Sequence, residues 1–252
     1  GMAKTFEKLP HTAGIITNLD GAAIKRSLIS IESELKRRQK IFSDISKEIG
    51  TSNIDIYEYQ KLYREGIANE PLQHLFIISD EFAELKAQQP EFMAQLISTA
   101  RIGRSLGVHL ILATQKPAGV VDDQIWSNSK FKVCLKVQDR ADSMDMLKRP
   151  DAAELTRTGR FYLQVGYNEL FELGQSAWSG AEYQPSDRLT KQLDDSVSII
   201  NNNGLVIKSY RPYRDVRIGK KSKQVDAVTR YLSEIADEEN IKVRPLWLEP
   251  IP

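Results

Sequence analysis

The chain has 252 residues, 41% apolar and 27% charged, which is enough to bury a sizeable core in one large domain with an appendage. Thirty-five Lys and Arg offset thirty-four Asp and Glu, so the net charge of +1 gives no broad field for drawing in nucleic acid, and any cationic function has to be local. A single cysteine, Cys134, excludes an intramolecular disulfide and a multi-cysteine zinc site, and no apolar run approaches the roughly 20 residues that span a bilayer. A membrane anchor is therefore expected outside this chain.

Residues 13–17 form a short apolar run closed by the turn-forming Asn18-Leu-Asp-Gly21 and read as a strand. Ile24, Leu28, Ile31, Leu35 and Phe42 then recur at helical spacing, with Lys25, Glu32, Lys36 and Lys40 elsewhere on the wheel, predicting an amphipathic helix of about five turns. Residues 43–70 are polar with a Tyr-rich centre and read as a loop with one short helix. Three apolar runs follow, at 74–79, 108–113 and 131–137, separated by helical patterns over 91–106 and 122–128, and a further helix is predicted over 140–148. This alternation predicts an α/β fold with a mainly parallel sheet flanked by helices. Gly107 reads as a helix C-cap. Phe161–Val165 and Leu170–Leu173 flank Gly166-Tyr-Asn-Glu169 and predict an antiparallel hairpin. Residues 187–252 read as a separate appendage with a hairpin around Asn201–Gly204, a basic stretch from Arg211 to Lys223, a helix carrying Val225, Val228, Leu232 and Ile235, and an extended Pro-rich end. The domain boundaries are accordingly 1–186 and 187–252.

The strongest local signal is Leu75-Phe-Ile-Ile-Ser-Asp80-Glu81. An aliphatic strand that delivers two carboxylates at its C-terminal end places them where α/β sheets bind ligands, since deeper burial would cost several kcal/mol each. This is a Walker-B arrangement, in which Asp80 holds Mg²⁺ and Glu81 orients and polarises the water that attacks the terminal phosphate of ATP. The alternative is a solvated strand end at which Asp80 or Glu81 caps the next helix. The following strand ends in Thr114-Gln115 at the same sheet edge, and an amide there can bond both water and phosphate, which makes Gln115 the candidate nucleotide sensor; the plainer alternative is a loop amide bonded to local backbone. Between the strands, Arg101 and Arg104 share a helix face. They, Arg37, Arg38 and Arg140 are candidates for an arginine supplied to a neighbouring subunit, or else solvated surface charges. His11, His74 and His109 show no metal-like spacing, and Trp126, Trp178 and Trp247 read as packing residues. Cys134, within Phe-Lys-Val-Cys-Leu-Lys-Val, reads as a small core residue.

Several longer segments carry a more specific resemblance: Ile16-Thr-Asn-Leu-Asp-Gly21, Glu34-Leu-Lys-Arg-Arg38, His74–Lys86, Ser98–Pro117, Val121–Asn128, Asp139-Arg-Ala-Asp-Ser143, Gln175–Gly180 and the terminal Pro245-Leu-Trp-Leu248. Together they resemble the type VII secretion ATPases of Gram-positive bacteria, the EssC/YukB family, which are similar to the DNA translocase FtsK and carry tandem ATPase modules behind membrane-spanning segments. The resemblance covers nearly the whole chain and is nearest to the first module. It implies a partial RecA-like P-loop NTPase fold of the FtsK/HerA type, ATP and Mg²⁺ as cofactors, and Asp80, Thr114 and Gln115 at the nucleotide. It also implies neighbouring modules or subunits of the same machine as partners, small helical WXG-motif proteins as cargo, and a place at the cytoplasmic face of the membrane. A DNA-translocating motor would use the same catalytic residues, but the near-zero charge and the lack of a clear DNA-binding winged helix at the C-terminal end weigh against it. A non-catalytic interaction module is the third reading.

One feature of the family pattern is missing. No Gly-x-x-x-x-Gly-Lys followed by Ser or Thr occurs in the sequence; in the family this loop lies upstream of the position equivalent to residue 1. Without its backbone amides and lysine to grip the phosphates, the chain alone is expected to bind ATP weakly and to be inactive. The sheet is expected to show an unpaired edge or apolar seam.

Overall fold

A computed structural model of the protein describes residues 3–7, 9–16, 21–115, 121, 123–167, 169–183, 196–210 and 222–246. The turn residues Asn18–Asp20, most of the basic stretch (211–221), the 186/187 boundary and the last six residues of the Pro-rich end lie outside these. Contacts group the chain into two compact units, Ala13–Ala177 with the stretch from Arg244, and Trp178–Val243 with the first twelve residues.

In the larger unit the amphipathic pattern produces a long helix, α2 (Gly21–Ile49), after a four-residue α1 (Ala3–Phe6) that belongs to the other unit. Its buried stripe runs through Ile24, Ile31, Leu35, Phe42 and Ile45. Residues 43–49, expected as loop, extend this helix because Ile45 and Ile49 continue the stripe onto the core. Helix α3 (Ile56–Arg64) begins where Asp55 accepts hydrogen bonds from the amides of Tyr57 and Glu58, and it buries Ile56, Tyr59 and Leu62 against α2 residues Leu35 and Phe42. The rings of Phe42 and Tyr59 stack at 5.1 Å.

Strands β1 (Leu75–Ser79) and β2 (Val108–Leu112) pair in parallel, from Leu75 opposite Val108 to Ser79 opposite Leu112. They are joined through α4 (Phe82–Gln88) and α5 (Pro90–Gly103). Met93, Leu96 and Ile97 of α5 form a second core cluster with Ile31, Phe82 and Ile125, on which Ile77, Leu110 and Leu112 of the strands pack. The chain leaves α5 through a turn closed by Gly107, at φ +74, whose amide donates to the Arg104 carbonyl at 3.3 Å. Gly107 also presses against Ile56: a Cβ there would lie 2.6 Å from Ile56 Cγ1.

The parallel sheet is smaller than the sequence predicts. It has two strands among the described residues, and the third apolar run, β3 (Phe131–Leu135), joins β4 (Arg160–Val165) and β5 (Leu170–Gln175) in an antiparallel meander instead. The cause lies in which faces find cover. Phe76 and Ile78 of β1 are 57% and 68% exposed, so an apolar run that suggests burial on both sides is covered on one, leaving the apolar seam that was expected. In β3, Cys134 alone is deeply buried, against Leu147, Ala152 and Leu155 from α7 (Arg140–Leu147) and the 3₁₀ turn (Asp151–Glu154) with its following residue. One core-facing residue in β3 suits a half-covered antiparallel sheet. The fold is thus an α/β fragment with small sheets rather than a full parallel RecA-like sheet. Residues 13–16, expected as a strand, are in no strand. Helix α6 (Asp123–Asn128) precedes β3 as predicted.

In the smaller unit the expected hairpin is β6 (Val197–Ile200) with β7 (Val206–Tyr210). Asn201 Oδ1 accepts from the amides of Asn203 and Leu205 and shapes the turn. Helix α8 (Gln224–Glu238) follows.

Candidate functional site at the ends of two parallel strands

The parallel ladder continues past the strand ends, with the Ala113 amide donating to the Ser79 carbonyl and the Phe82 amide to the Ala113 carbonyl, each at 2.9 Å. This clamps the turn of Asp80 and Glu81 beside Ala113 and Thr114. Phe82, buried in the second core cluster, anchors the far side of the turn. Asp80 and Gln115 are exposed, while Glu81 and Thr114 are half-buried.

Glu81 occupies the N-cap position of α4 in a left-handed conformation, φ 50 and ψ 53, which costs a non-glycine residue about 1 kcal/mol or more. Its carboxylate makes no hydrogen bond to the helix it precedes. It turns instead to the neighbouring strand, where Thr114 Oγ1 donates to Glu81 Oε1 at 3.0 Å. The helix-cap reading therefore fails for Glu81. Sheet register brings Asp80, Glu81, Thr114 and Gln115 to one edge, as the sequence suggests.

A Mg²⁺ ion held by one carboxylate, drawing its other ligands from water and phosphate oxygens, suits an exposed strand-end Asp80. Among the described residues, no group of three or more His, Cys, Asp or Glu could hold a metal unaided.

The arginines divide into two kinds. Arg101 and Arg104 lie exposed at and just beyond the end of α5, without an ion pair among the described residues. Arg37 and Arg38 point inward. Arg37 Nε and Nη2 donate to the two oxygens of Glu34 at 2.9 and 3.0 Å, and its Nη1 reaches both oxygens of Glu70 at 3.1 and 3.0 Å. Arg38 is buried, with Nε to Glu34 Oε1 and Nη1 to the Leu106 carbonyl, both at 2.8 Å. Arg244 adds a third guanidinium at 3.5 Å from Glu34. Burial would raise the Glu34 carboxyl, but hydrogen bonds and charge from Arg37 and Arg38 outweigh it and hold the group below its ordinary range. Arg140 pairs with Glu154 at 2.8 Å on the surface.

Sequence reasoning missed two groupings. His74 and His109 come together: the parallel register sets His109 opposite Phe76, and His74 Nδ1 lies 2.8 Å from His109 Nε2. Burial, then His74, then Arg38 lower the His109 pKa. Trp126 is half-buried beneath Lys132, whose Nζ sits 4.7 Å from the ring centre, whereas Trp178 is exposed rather than packed; Trp247 lies outside the described residues. Cys134 is buried as expected, and burial followed by the charge of Asp142 pushes its thiol up to about 11, which makes it unreactive.

The FtsK/SpoIIIE family model matches residues 1–119, a span that contains all four residues of the strand-end site. The type VII secretion system protein EssC of Staphylococcus aureus (strain NCTC 8325 / PS 47) is 52% identical over 257 residues, covering 100% of this chain. The chain belongs to the EssC/YukB family. The ESX secretion system protein YukB of Bacillus subtilis (strain 168) is 49% identical over 254 residues, again covering 100% of the chain. The chain spans only 17% of EssC and 16% of YukB. Among solved structures, the cytoplasmic domain of the Thermomonospora curvata type VII secretion ATPase EccC superposes with a TM-score of 0.68 at 23% identity, covering 98% of this chain and 24% of that one. ATPases 2 and 3 of the same EccC, solved in complex with a signal sequence peptide, superpose with a TM-score of 0.54 at 21% identity, covering 70% of this chain and 32% of that one. The EssC/YukB chain thus shares the EccC fold. No helix among its described residues is long and apolar enough to cross a membrane.

Proposed function

We propose that this chain supplies the magnesium- and water-handling side of an ATP-hydrolysing module in a type VII secretion motor. The observation that carries the reading is the Glu81 carboxylate, set in a strained turn at the end of β1, unused by the helix beside it and held toward Thr114. Bound Mg²⁺ neutralises phosphate charge. Asp80 would hold that ion. Glu81 would orient the attacking water and accept its proton as the water oxygen bonds to the terminal phosphorus and the bond from that phosphorus to the bridging oxygen breaks, releasing ADP. Gln115, exposed one residue beyond Thr114, reads the terminal phosphate by its amide.

Arg101 and Arg104 are the cations free to reach a neighbouring module, whereas Arg37 and Arg38 are engaged with Glu34 and Leu106 inside the unit. We place the module at the cytoplasmic face of the membrane, working with its sister modules on small helical WXG-motif proteins. The signal-peptide complex of EccC is a precedent for recognition of cargo by such modules.

The test is Glu81→Gln in the full-length protein, with the corresponding glutamates of the other modules already replaced. The expected result is a loss of the remaining ATP hydrolysis by about 10²-fold or more, with nucleotide binding retained. Hydrolysis unchanged by the substitution would refute the role of Glu81.

A further inference from the structure

We infer that Thr114 is a positioning residue for Glu81 rather than a nucleotide ligand: its hydroxyl fixes the carboxylate that activates water. The inference rests on the reading of Glu81 given above and adds a second residue to the same site.

Three observations lead to it. First, Glu81 stands at a helix N-terminus, where a carboxylate ordinarily bonds the free amides of the first turn, and it makes no such bond. Second, the hydroxyl of Thr114 donates to Glu81 Oε1 at 3.0 Å across the gap between β1 and β2, and both residues are half-buried, so water competes little for the contact. Third, the backbone around both residues is fixed. The Ser79–Ala113 and Ala113–Phe82 hydrogen bonds hold the chain on either side of the turn, and φ of +50 sets the direction in which the Glu81 side chain leaves it.

A glutamate has three rotatable bonds, and its use as a base depends on where its oxygens point. One oxygen tied to Thr114 leaves Oε2 as the free acceptor and restricts its position to an arc about the tethered oxygen. The Thr114 hydroxyl, with its donor committed to Oε1, retains only acceptor capacity, which suits it poorly for bonding phosphate oxygens that are themselves acceptors.

The experiment uses the full-length protein with its other modules silenced, as for Glu81→Gln. Thr114→Val, nearly the same shape without the hydroxyl, should lower kcat about tenfold and change the KM for ATP less than about twofold. Thr114→Ser should restore kcat to within about twofold. Thermal unfolding of each variant identifies loss of fold, and Thr114→Ala is read in place of the valine variant if that one does not fold. Wild-type kcat in the hydroxyl-less variant, or a raised kcat, overturns the inference when Glu81→Gln abolishes hydrolysis. A KM that rises while kcat holds also overturns it, by showing that Thr114 binds nucleotide. If Glu81→Gln has no effect, the reading of the site fails before this inference is reached.

Discussion

Glu34 is the residue whose chemistry is most dependent on its neighbours. It is 8% exposed and meets guanidinium groups from Arg37, Arg38 and Arg244. Replacing it with Gln leaves the buried Arg38 without a counter-charge, and the expected cost is about 3 kcal/mol, measured by urea unfolding. The pH dependence follows from the lowered pKa of Glu34. Its ordinary value is 4.5, so its contribution is fully present above that pH and is lost as pH falls through the lower folded value. Acid unfolding of Glu34→Gln should lack that limb. The strand-end residues were legible in the sequence because Asp80-Glu81 and Thr114-Gln115 each close an apolar run. The buried Glu34–Arg38 pair was not, since Glu34-Leu-Lys-Arg-Arg shows three charges at helical spacing and says nothing about which face is inside. Its one usable signal was that Glu34 lies three and four residues before Arg37 and Arg38, the spacing of a helical ion pair.

Among the elements, helices were read well because their apolar stripes have a period that survives whatever they pack against. Strands were read for position but not for partner. The run Phe131–Leu135 looks like its predecessors in β1 and β2, and only the placement of Cys134 against α7 and the 3₁₀ turn shows that its sheet is a different one. The turn between α5 and β2 offers a test of how tightly the parallel pair is joined to α3. Gly107→Ala should cost about 2 kcal/mol or more, since it combines a left-handed backbone with a methyl group 2.6 Å from Ile56 Cγ1. Gly66→Ala, at φ +77 with open space around it, should cost about half that or less, for it carries the backbone penalty alone. Melting temperatures of the two variants separate the terms; equal shifts would mean that Ile56 yields freely.

At the scale of the whole molecule, the sequence holds no Gly-x-x-x-x-Gly-Lys followed by Ser or Thr. Asp80 and Glu81 repel phosphate in the absence of a lysine and an amide cradle, so isothermal calorimetry with ATP and Mg²⁺ should show no saturable binding below the millimolar range. A micromolar dissociation constant would show that this chain grips phosphate by other groups. The hairpin and the helix after residue 187 were legible in the sequence as elements. The return of the chain at Arg244 was not, because an ion pair with Glu34, 210 residues earlier, leaves no local trace.

The register of β1 and β2 reaches beyond architecture. Successive residues of a strand are about 3.3 Å apart and alternate in face, so slipping β2 by one position would carry the Thr114 hydroxyl out of reach of Glu81 and turn it to the opposite side. The sheet is in this sense a gauge: the pairing of two backbones sets the distance between two side chains.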